Sequence, residues 1–553
     1  NIYLIEDNAN SPFSYLDCKS TGTFGDFGIW SFDAMKILVT GDGGLIYSKD
    51  KKYIEKLKRT TYLGLETESG LSSTVDKKWW QFDVSVAGRR SIMNDITAAI
   101  GLEQLKKVNK FIKRRNEIHD RYINKLSNLI ISKKATIGII GLGYVGLPLS
   151  ILFSKSGFRV IGFDINKDKI NKIQNNQTYI ERIPNKDIQL ILKKGFCTSD
   201  FSNISNCDFI IICVPTPLKK NNTPDLDYVK NTIRFILKFL HSGQVLVLES
   251  TSYPGTTREL IINKLNKRFK IGKDFYVGFS SERINPGFNE NTIQNVPKVV
   301  SGSSKNCLHL ISKLYNSVFN QVVKSKSIEI AEYSKLLENI YRSVNIGFIN
   351  EMKFVSDRMG LDIFEILKVA RTKPFGFRPF KPGPGIGGHC IPIDPIYLYW
   401  KAKKKGILAN FIKLSSTTNI KTLNFIKKKI LLNLKIRKIN KNKAKILILG
   451  LAYKPNIDDV RESSSIKIIQ DLLKSGIHFL RWSDPHIKNF PINSKNKNIG
   501  KSLKINKNSL QKFDLIILMT DHDKFNYKKI YKYSKHIIDC RGRFAVSAKV
   551  TRG

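Results

Sequence analysis

Residues 383–394 read GPGIGGHCIPID, placing one thiol, Cys390, among four glycines with Asp394 four residues on. Glycine removes side-chain bulk and permits positive φ, so backbone in such a loop can approach a ligand closely. A thiol held there could act as a nucleophile against a bound substrate. The alternative is a small buried apolar residue beside a flexible turn. A second polar set lies upstream, in AEYSKLLENIYRSVNIGFINEM, where Lys335, Asn339 and Arg342 fall at i, i+4 and i+7 and share one helical face. The positions opposite, Leu336, Ile340, Ile346 and Phe348, do not decide whether that face meets water or a cleft.

A third set is Gly141, Gly143 and Gly146, a G-x-G-x-x-G run between an apolar strand and a helical pattern. The first glycine permits the tight turn, the second admits a pyrophosphate and the third lets helix and strand pack closely. The helix start offers free N–H groups to the phosphates. Asp164 ends the next strand, where a carboxylate can bind an adenosine ribose and repel a 2′-phosphate, which favours NAD over NADP. A later strand–turn, LILGLAYKPN, has only Gly450 at the equivalent turn, so a second dinucleotide is not expected there. Lys454 and Arg461 beside that turn could meet phosphate, or form a solvated basic face.

The elements that must hold these residues follow from periodicity. To about residue 130, short apolar runs alternate with turns and end in a long helical pattern; SNLIISKK then reads as a short connection. From 135, ATIGII, FRVIGFD, DFIIICVPTP and QVLVLES alternate with helical stretches, including one after YPGTTR, and imply a right-handed parallel sheet. Residues 327 to about 430 are helical apart from the Cys390 loop. AKILILGLAYKPN, HFLRWSDP, DLIILMTDHD and HIIDCRG then form a second α/β stretch.

The 553 residues exceed one core, and 41% apolar with 25% charged content is that of a soluble globular protein. No apolar run spans a bilayer, no signal pattern opens the chain, and Asn1 in place of Met suggests a fragment or a processed end. Seven cysteines without a C-x-x-C pair argue for a reducing compartment, the cytoplasm, and against a zinc site; no metal is expected. The net charge of +47 is scattered lysine that travels with Asn and Ile, a bias of A/T-rich codons, and no nucleic-acid motif accompanies it. Neither nucleic acid nor membrane insertion is expected, and a basic surface would help gather anionic substrates.

From residue 134 to the end the chain resembles the UDP-glucose/GDP-mannose dehydrogenase family. The resemblance rests on GLGYVGLPL, VPTP, ESTSYPGTT, SERINPG, the Lys335/Asn339/Arg342 helix, GGHCIPIDP and GLAYKPNIDDVRESSS, in that order. It implies oxidation of a nucleotide sugar's C6 alcohol to a carboxylate with two NAD, through a thiohemiacetal and a thioester on Cys390. GPGIGGHCIPIDP most resembles members acting on UDP-N-acetylglucosamine; those acting on UDP-N-acetylmannosamine are close relatives. The resemblance implies roles for Lys335 and Asn339 in proton transfer and oxyanion stabilisation. Asp394 and Thr251 would place or activate water, and Glu282 would serve as acid/base in thioester hydrolysis. NAD would meet Gly141, Gly143, Tyr144, Val145, Gly146, Asp164, Thr216, Thr251 and Arg461. Arg283, Ile284, Lys335, Asn339, Arg342, Tyr453 and Lys454 would surround the UDP-N-acetylhexosamine, with the loop glycines letting the chain wrap the sugar. The family is oligomeric through its central helices, so a homodimer or larger homo-oligomer is expected, serving surface polysaccharide synthesis.

Residues 1–126 resemble instead the DegT/DnrJ/EryC1 sugar aminotransferases. IEDNA places Asp7 where that family pairs a carboxylate with the pyridinium nitrogen of pyridoxal phosphate, and SFDAMKILVTGDGG places Lys36 at its Schiff-base position; MNDITAAIGLEQL matches a later segment. Asn10 stands where many members carry His or Gln, and only a middle piece of that family is matched. The expectation is a truncated, vestigial module without bound pyridoxal phosphate; a bifunctional dehydrogenase/aminotransferase is the alternative. The expected architecture is α/β: an aminotransferase-like fragment (1–130), an NAD-binding Rossmann domain (134–326), a central helical region for dimerisation and catalysis (327–435), and a Rossmann-like domain for the UDP-sugar (443–553).

Overall fold

The computed structural model describes residues 2–65, 84–180, 183–283, 293–491 and 499–553. The chain divides into two compact units, Asn1–Arg121 and Tyr122–Gly553. In the first, β1 (Ile5–Asp7) runs parallel to β2 (Phe27–Ser31), and β3 (Gly44–Ser48) closes a three-stranded sheet antiparallel to β2. The long helical pattern forms α1 (Asp95–Ile131), which absorbs the first residues of the expected connection SNLIISKK. The physical reason is that Leu126 and Ile130 are buried in the core of the second unit, so continuing the helix removes apolar surface from water.

The second unit opens with an eight-stranded sheet. Its strands are β4 (Thr136–Ile140), β5 (Arg159–Phe163), β6 (Phe196–Thr198), β7 (Phe209–Ile212), β8 (Val245–Leu248), β9 (Tyr276–Ser281), β10 (Lys298–Gly302) and β11 (Val322–Lys324). The helix α2 (Gly146–Lys155) connects β4 to β5. The strand order is β11-β10-β9-β8-β7-β4-β5-β6. β4, β7 and β8 are buried along their whole length, as strands covered on both faces must be. The sheet departs from the expected all-parallel form at one pair: β10 lies antiparallel to β9. The helix expected after YPGTTR is a single π-turn, Arg258–Ile262, followed by one α-turn. The chain leaves β4 toward β5 on one side and returns to β7 on the other, so strand order reverses between β4 and β7, where such sheets bind ligands.

The helical region contains α3 (Ile328–Arg358), α4 (Asp394–Lys404) and α5 (Asn410–Ile436). Ser327 caps α3 by accepting the Ile330 N–H. α3 and α5 approach closely at Gly347, where a Cβ would lie 3.1 Å from Ser415 Cα, and the Asn350 amide donates to Asn419 Oδ1 at 3.1 Å. The last sheet has β12 (Lys445–Leu449), β13 (Phe479–Ser483), β14 (Leu515–Leu518), β15 (Ile537–Asp539) and β16 (Val550–Arg552), all parallel in the order β13-β12-β14-β15-β16. Among the described residues no helix is long and apolar enough to cross a membrane.

Candidate active site

The glycine turn after β4 is built as its chemistry requires. Gly141 sits at φ +93°, and a Cβ there would meet the Cys213 carbonyl oxygen at 2.8 Å. A Cβ on Gly146 would lie on the Gly141 carbonyl, so this glycine serves helix–strand packing. A Cβ on Gly143 would meet nothing within 4 Å; the space it leaves is open. α2 begins with no side-chain cap on its N–H groups. Asp164, buried at the end of β5, accepts the Leu142 N–H (3.0 Å) and the Asn166 N–H (2.9 Å) and pairs with the Lys169 ammonium at 3.1 Å. Open backbone at Gly143, uncapped N–H groups and a carboxylate tied to the turn fit a dinucleotide. Thr216 and Thr251 follow β7 and β8, adjacent parallel strands, at the same C-terminal edge of the sheet; Thr216 is buried and Thr251 half-buried.

The polar face of α3 turns inward at its first two members. Lys335 and Asn339 are buried, whereas Arg342, one turn further, is exposed. Asn339 Nδ2 donates to Asp394 Oδ2 at 2.5 Å. Asp394 opens α4 and donates its backbone N–H to the Cys390 carbonyl at 2.8 Å, which fixes Cys390 one turn ahead of that helix. Burial pushes the Asp394 carboxyl up to about 6, against the Lys335 charge and the Asn339 hydrogen bond. The Cys390 thiol opens to solvent but is flanked by protein on most sides. Burial first, then the Asp394 carboxylate, pushes it up to about 11, while Lys335, Arg461 and Arg342 pull it down.

Two of the loop glycines pack against the chain itself. A Cβ on Gly387 would lie 2.7 Å from Tyr453 Cβ and 2.8 Å from the Glu462 carbonyl oxygen; one on Gly388, at φ +88°, would lie 2.7 Å from Tyr453 Cε2. These two glycines admit the chain's own segment after β12. The Gly388 N–H donates to the Arg461 carbonyl at 2.9 Å, and the Arg461 guanidinium, paired with Asp459, lies 4.9 Å from the Tyr144 ring centroid. Arg461 thus touches both the cysteine loop and the dinucleotide turn. Tyr453 and Lys454 are half-buried beside it, and Val145 is the residue preceding α2.

Glu282 and Arg283 follow β9. Glu282 is buried and paired with Lys298 at 3.2 Å; the Arg283 guanidinium pairs with Glu338 of α3 and donates to the Pro297 carbonyl at 3.1 Å. Ile284 lies outside the described residues. Sequence reading does not single out Glu249, Lys298 or Glu332. Glu332 accepts the Gly255 N–H (2.6 Å) and the Thr257 N–H (2.8 Å), anchoring α3 to the loop that carries Thr251, with burial pushing its carboxyl up to about 7. An acid closing an apolar strand of an α/β sheet, as Glu249 does in QVLVLES, is the signal that points to this edge. In the first unit Asp7 is exposed, with one oxygen accepting the Ala9 N–H at 3.0 Å, and the Lys36 ammonium donates to Asn10 Oδ1 at 2.9 Å.

Residues 135–319, 329–421 and 447–545 match, in turn, the NAD binding, central and UDP binding domains of the UDP-glucose/GDP-mannose dehydrogenase family. Residues 1–137 match the DegT/DnrJ/EryC1/StrS aminotransferase family. The chain is 37% identical over 350 residues to Protein CapL of Staphylococcus aureus, spanning 62% of this chain and 80% of that protein. It is 34% identical over 348 residues to the UDP-N-acetyl-D-glucosamine 6-dehydrogenase of Pseudomonas aeruginosa, spanning 62% and 82%. The solved UDP-D-ManNAc dehydrogenase of Pyrococcus horikoshii superposes with a TM-score of 0.67 at 30% identity, covering 74% of this chain and 96% of that one.

Proposed function

Because the chain belongs to the UDP-glucose/GDP-mannose dehydrogenase family, we propose that it oxidises the C6 alcohol of UDP-N-acetylglucosamine to a carboxylate through a covalent adduct on Cys390. One observation carries the reading: a thiol, a lysine, an amide and a carboxylate from the cysteine loop, α3 and α4 are held as one set, with Asn339 bonded to Asp394 and Lys335 acting on both Asp394 and Cys390. NAD seated on the Gly141–Gly146 turn supplies the acceptor for both hydrides, one molecule per oxidation.

The chain's own residues handle the protons and the carbon. Lys335 and Asn339 stabilise the C6 oxygen as its proton leaves. Cys390 Sγ then bonds to the aldehyde carbon, and the oxygen gains a proton, giving a thiohemiacetal that cannot diffuse away. Loss of the second hydride and of the hydroxyl proton leaves a thioester. Water positioned by Asp394 and Thr251 loses a proton to Glu282 and attacks the acyl carbon; the C–S bond breaks and the sulfur departs as thiolate. Arg283, Ile284, Arg342, Tyr453 and Lys454 surround the nucleotide sugar in this reading.

Residues 134–326, 327–435 and 443–553 then act as NAD, central and UDP-sugar domains of a cytoplasmic homo-oligomer that supplies surface polysaccharide synthesis. The first unit carries no transaminase activity, a reading supported by the exposed Asp7 carboxylate and by the engagement of Lys36 with Asn10; an internal-aldimine absorbance lost in Lys36→Ala would sink it. The likeness to a ManNAc enzyme supports the epimeric substrate as the second reading.

The test is NADH formed per UDP-N-acetylglucosamine consumed. Two per sugar in the native chain, with no carboxylate product from Cys390→Ala, is the expected result. Faster turnover of UDP-N-acetylmannosamine would transfer the reading to that epimer, and no NADH from any UDP-hexose would end it.

A further inference from the structure

A buried charge cluster lies behind Glu282, drawn from four elements. Lys298, at the start of β10, points its ammonium at Glu282 Oε2 (3.2 Å) and at Glu249 Oε2 (3.0 Å). The other oxygen of Glu249 accepts the hydroxyl of Tyr315, which lies on the helix Lys305–Asn316. The same ammonium lies 5.5 Å from the Tyr315 ring centroid and 5.3 Å from that of Phe319. Lys298 and Glu249 are almost wholly shielded from solvent, and Glu282 is the member nearest the surface. An ammonium between two carboxylates in such a place is not needed for sheet stability, because apolar residues of like volume generally serve as well.

We propose that Lys298 is a positioning residue, which fixes the Glu282 carboxylate at the end of β9 so that it can take the proton of the water that hydrolyses the Cys390 thioester. The inference rests on the functional reading above and gives that reading's last step a physical anchor. The chain Tyr315–Glu249–Lys298–Glu282 fixes Glu282 from behind by hydrogen bonds and charge. Other groups facing this cluster are the Cys213 thiol after β7, whose ionisation burial opposes, and Arg283, which is engaged with Glu338 of α3. With the cation removed, two buried carboxylates face each other, and the pair loses the charge that opposes the effect of burial at Glu249.

The test follows NADH formation by full-length enzyme with UDP-N-acetylglucosamine and NAD, together with the mass of Cys390 in acid-quenched samples. In K298M the first two NADH per site form as a burst, steady turnover falls roughly tenfold or more, and the acyl adduct accumulates on Cys390. The acid limb of the steady rate moves to higher pH, and K298R restores both. E249Q removes the competing carboxylate, leaves Lys298 wholly to Glu282 and moves the acid limb down; it serves as the test should K298M not fold. Folded K298M with native turnover and an unmoved limb overturns the assignment, as does equal loss of burst and steady rate, or an E249Q limb that stays or rises. A native enzyme that makes no NADH overturns the functional reading itself, a result separate from an active native enzyme with an unaffected K298M.

Discussion

Two side chains of the site titrate above their ordinary ranges, and one of them rests in the state opposite to the one its chemistry uses. Cys390 must become a thiolate, yet burial and Asp394 keep it a thiol in the free enzyme. With the thiol at about 11, alkylation by iodoacetamide is expected to be slow at pH 8 and to climb steadily through pH 10; a rate already level near pH 8 would contradict it. Burial shifts Asp394 in the same direction. Its folded-state value of about 6 lies above the ordinary carboxylate range, so the native state binds the extra proton between about pH 4 and 6, and stability falls as pH rises through that window. Asp394→Asn keeps an oxygen for the Asn339 amide and removes the penalty. It should raise stability above pH 6 by on the order of 2 kcal/mol, leave it unchanged near pH 4, and abolish activity. Thermal melts at the two pH values check this, and a fall in stability at pH 7 would sink it. Cys390, Lys335, Asn339 and Asp394 stand out in the sequence by type and spacing, but spacing leaves open whether they act, and their roles come only from the resemblance of the surrounding motifs. Glu249 and Lys298 do not stand out, because their partnership joins strands 49 residues apart and no local pattern encodes it.

At the scale of elements, apolar runs read directly as β4, β5, β7 and β8 of the first sheet and β12 to β15 of the second, since strands covered on two faces have no polar alternation to confuse them. By contrast, β6, β9, β10, β11 and β16 are not read from the pattern. The pattern could not reveal that PKVVSG pairs antiparallel, as direction depends on the path of the preceding chain. Nor could it reveal which neighbour the glycines of the cysteine loop accommodate. Two turns of the same kind stand in the two sheets. At Gly141 the strand-end acid Asp164 receives the Leu142 N–H, and at Gly450 the acid Asp484 receives the Leu451 and Ala452 N–H groups in the same way. Asp484, however, is also bonded to the buried His522 ring at 3.0 Å, and a Cβ on Gly450 would meet Thr520. The two turns share one backbone scaffold and differ in what their strand-end acid meets, Lys169 at the first and His522 at the second. For the cysteine loop, Gly388→Ala is the decisive change. Positive φ and a Tyr453 carbon at 2.7 Å oppose the added methyl together, so the variant should lose on the order of 1–3 kcal/mol of stability. Activity should fall more than Tm accounts for, because the loop also sets Cys390 against α4. Near-native NADH production would show that the Tyr453 contact does not position the thiol.

On the scale of the whole molecule, the long helix α3 has two faces with different solvents. Its buried face carries Glu332, Lys335, Asn339, Ser343 and Asn350, a polar seam that belongs to the site and to the α5 contact. Its outer face carries Ile330, Tyr333, Leu337, Tyr341, Phe348 and Val355, recurring every three, four or seven residues, with Leu337 and Phe348 both more than half exposed. A sequence cannot say which face of such a helix is outside when both are mixed, and here the polar one is inside. Six large apolar side chains in one stripe are more than scattered surface residues account for, and burying each would contribute roughly 1.5–3 kcal/mol before the entropy of association is subtracted. A second copy of the same helix, packed about a two-fold axis, offers the stripe a self-complementary partner. The native chain is therefore expected to run at twice its own mass or more in light-scattering chromatography. Leu337→Lys combined with Phe348→Asp places charges at the centre of the stripe without touching Lys335, Asn339 or the cysteine loop, and should shift the protein to monomer with its NAD affinity retained. An oligomer that survives both substitutions would assign the contact to another surface, and a native monomer would leave the stripe without this role.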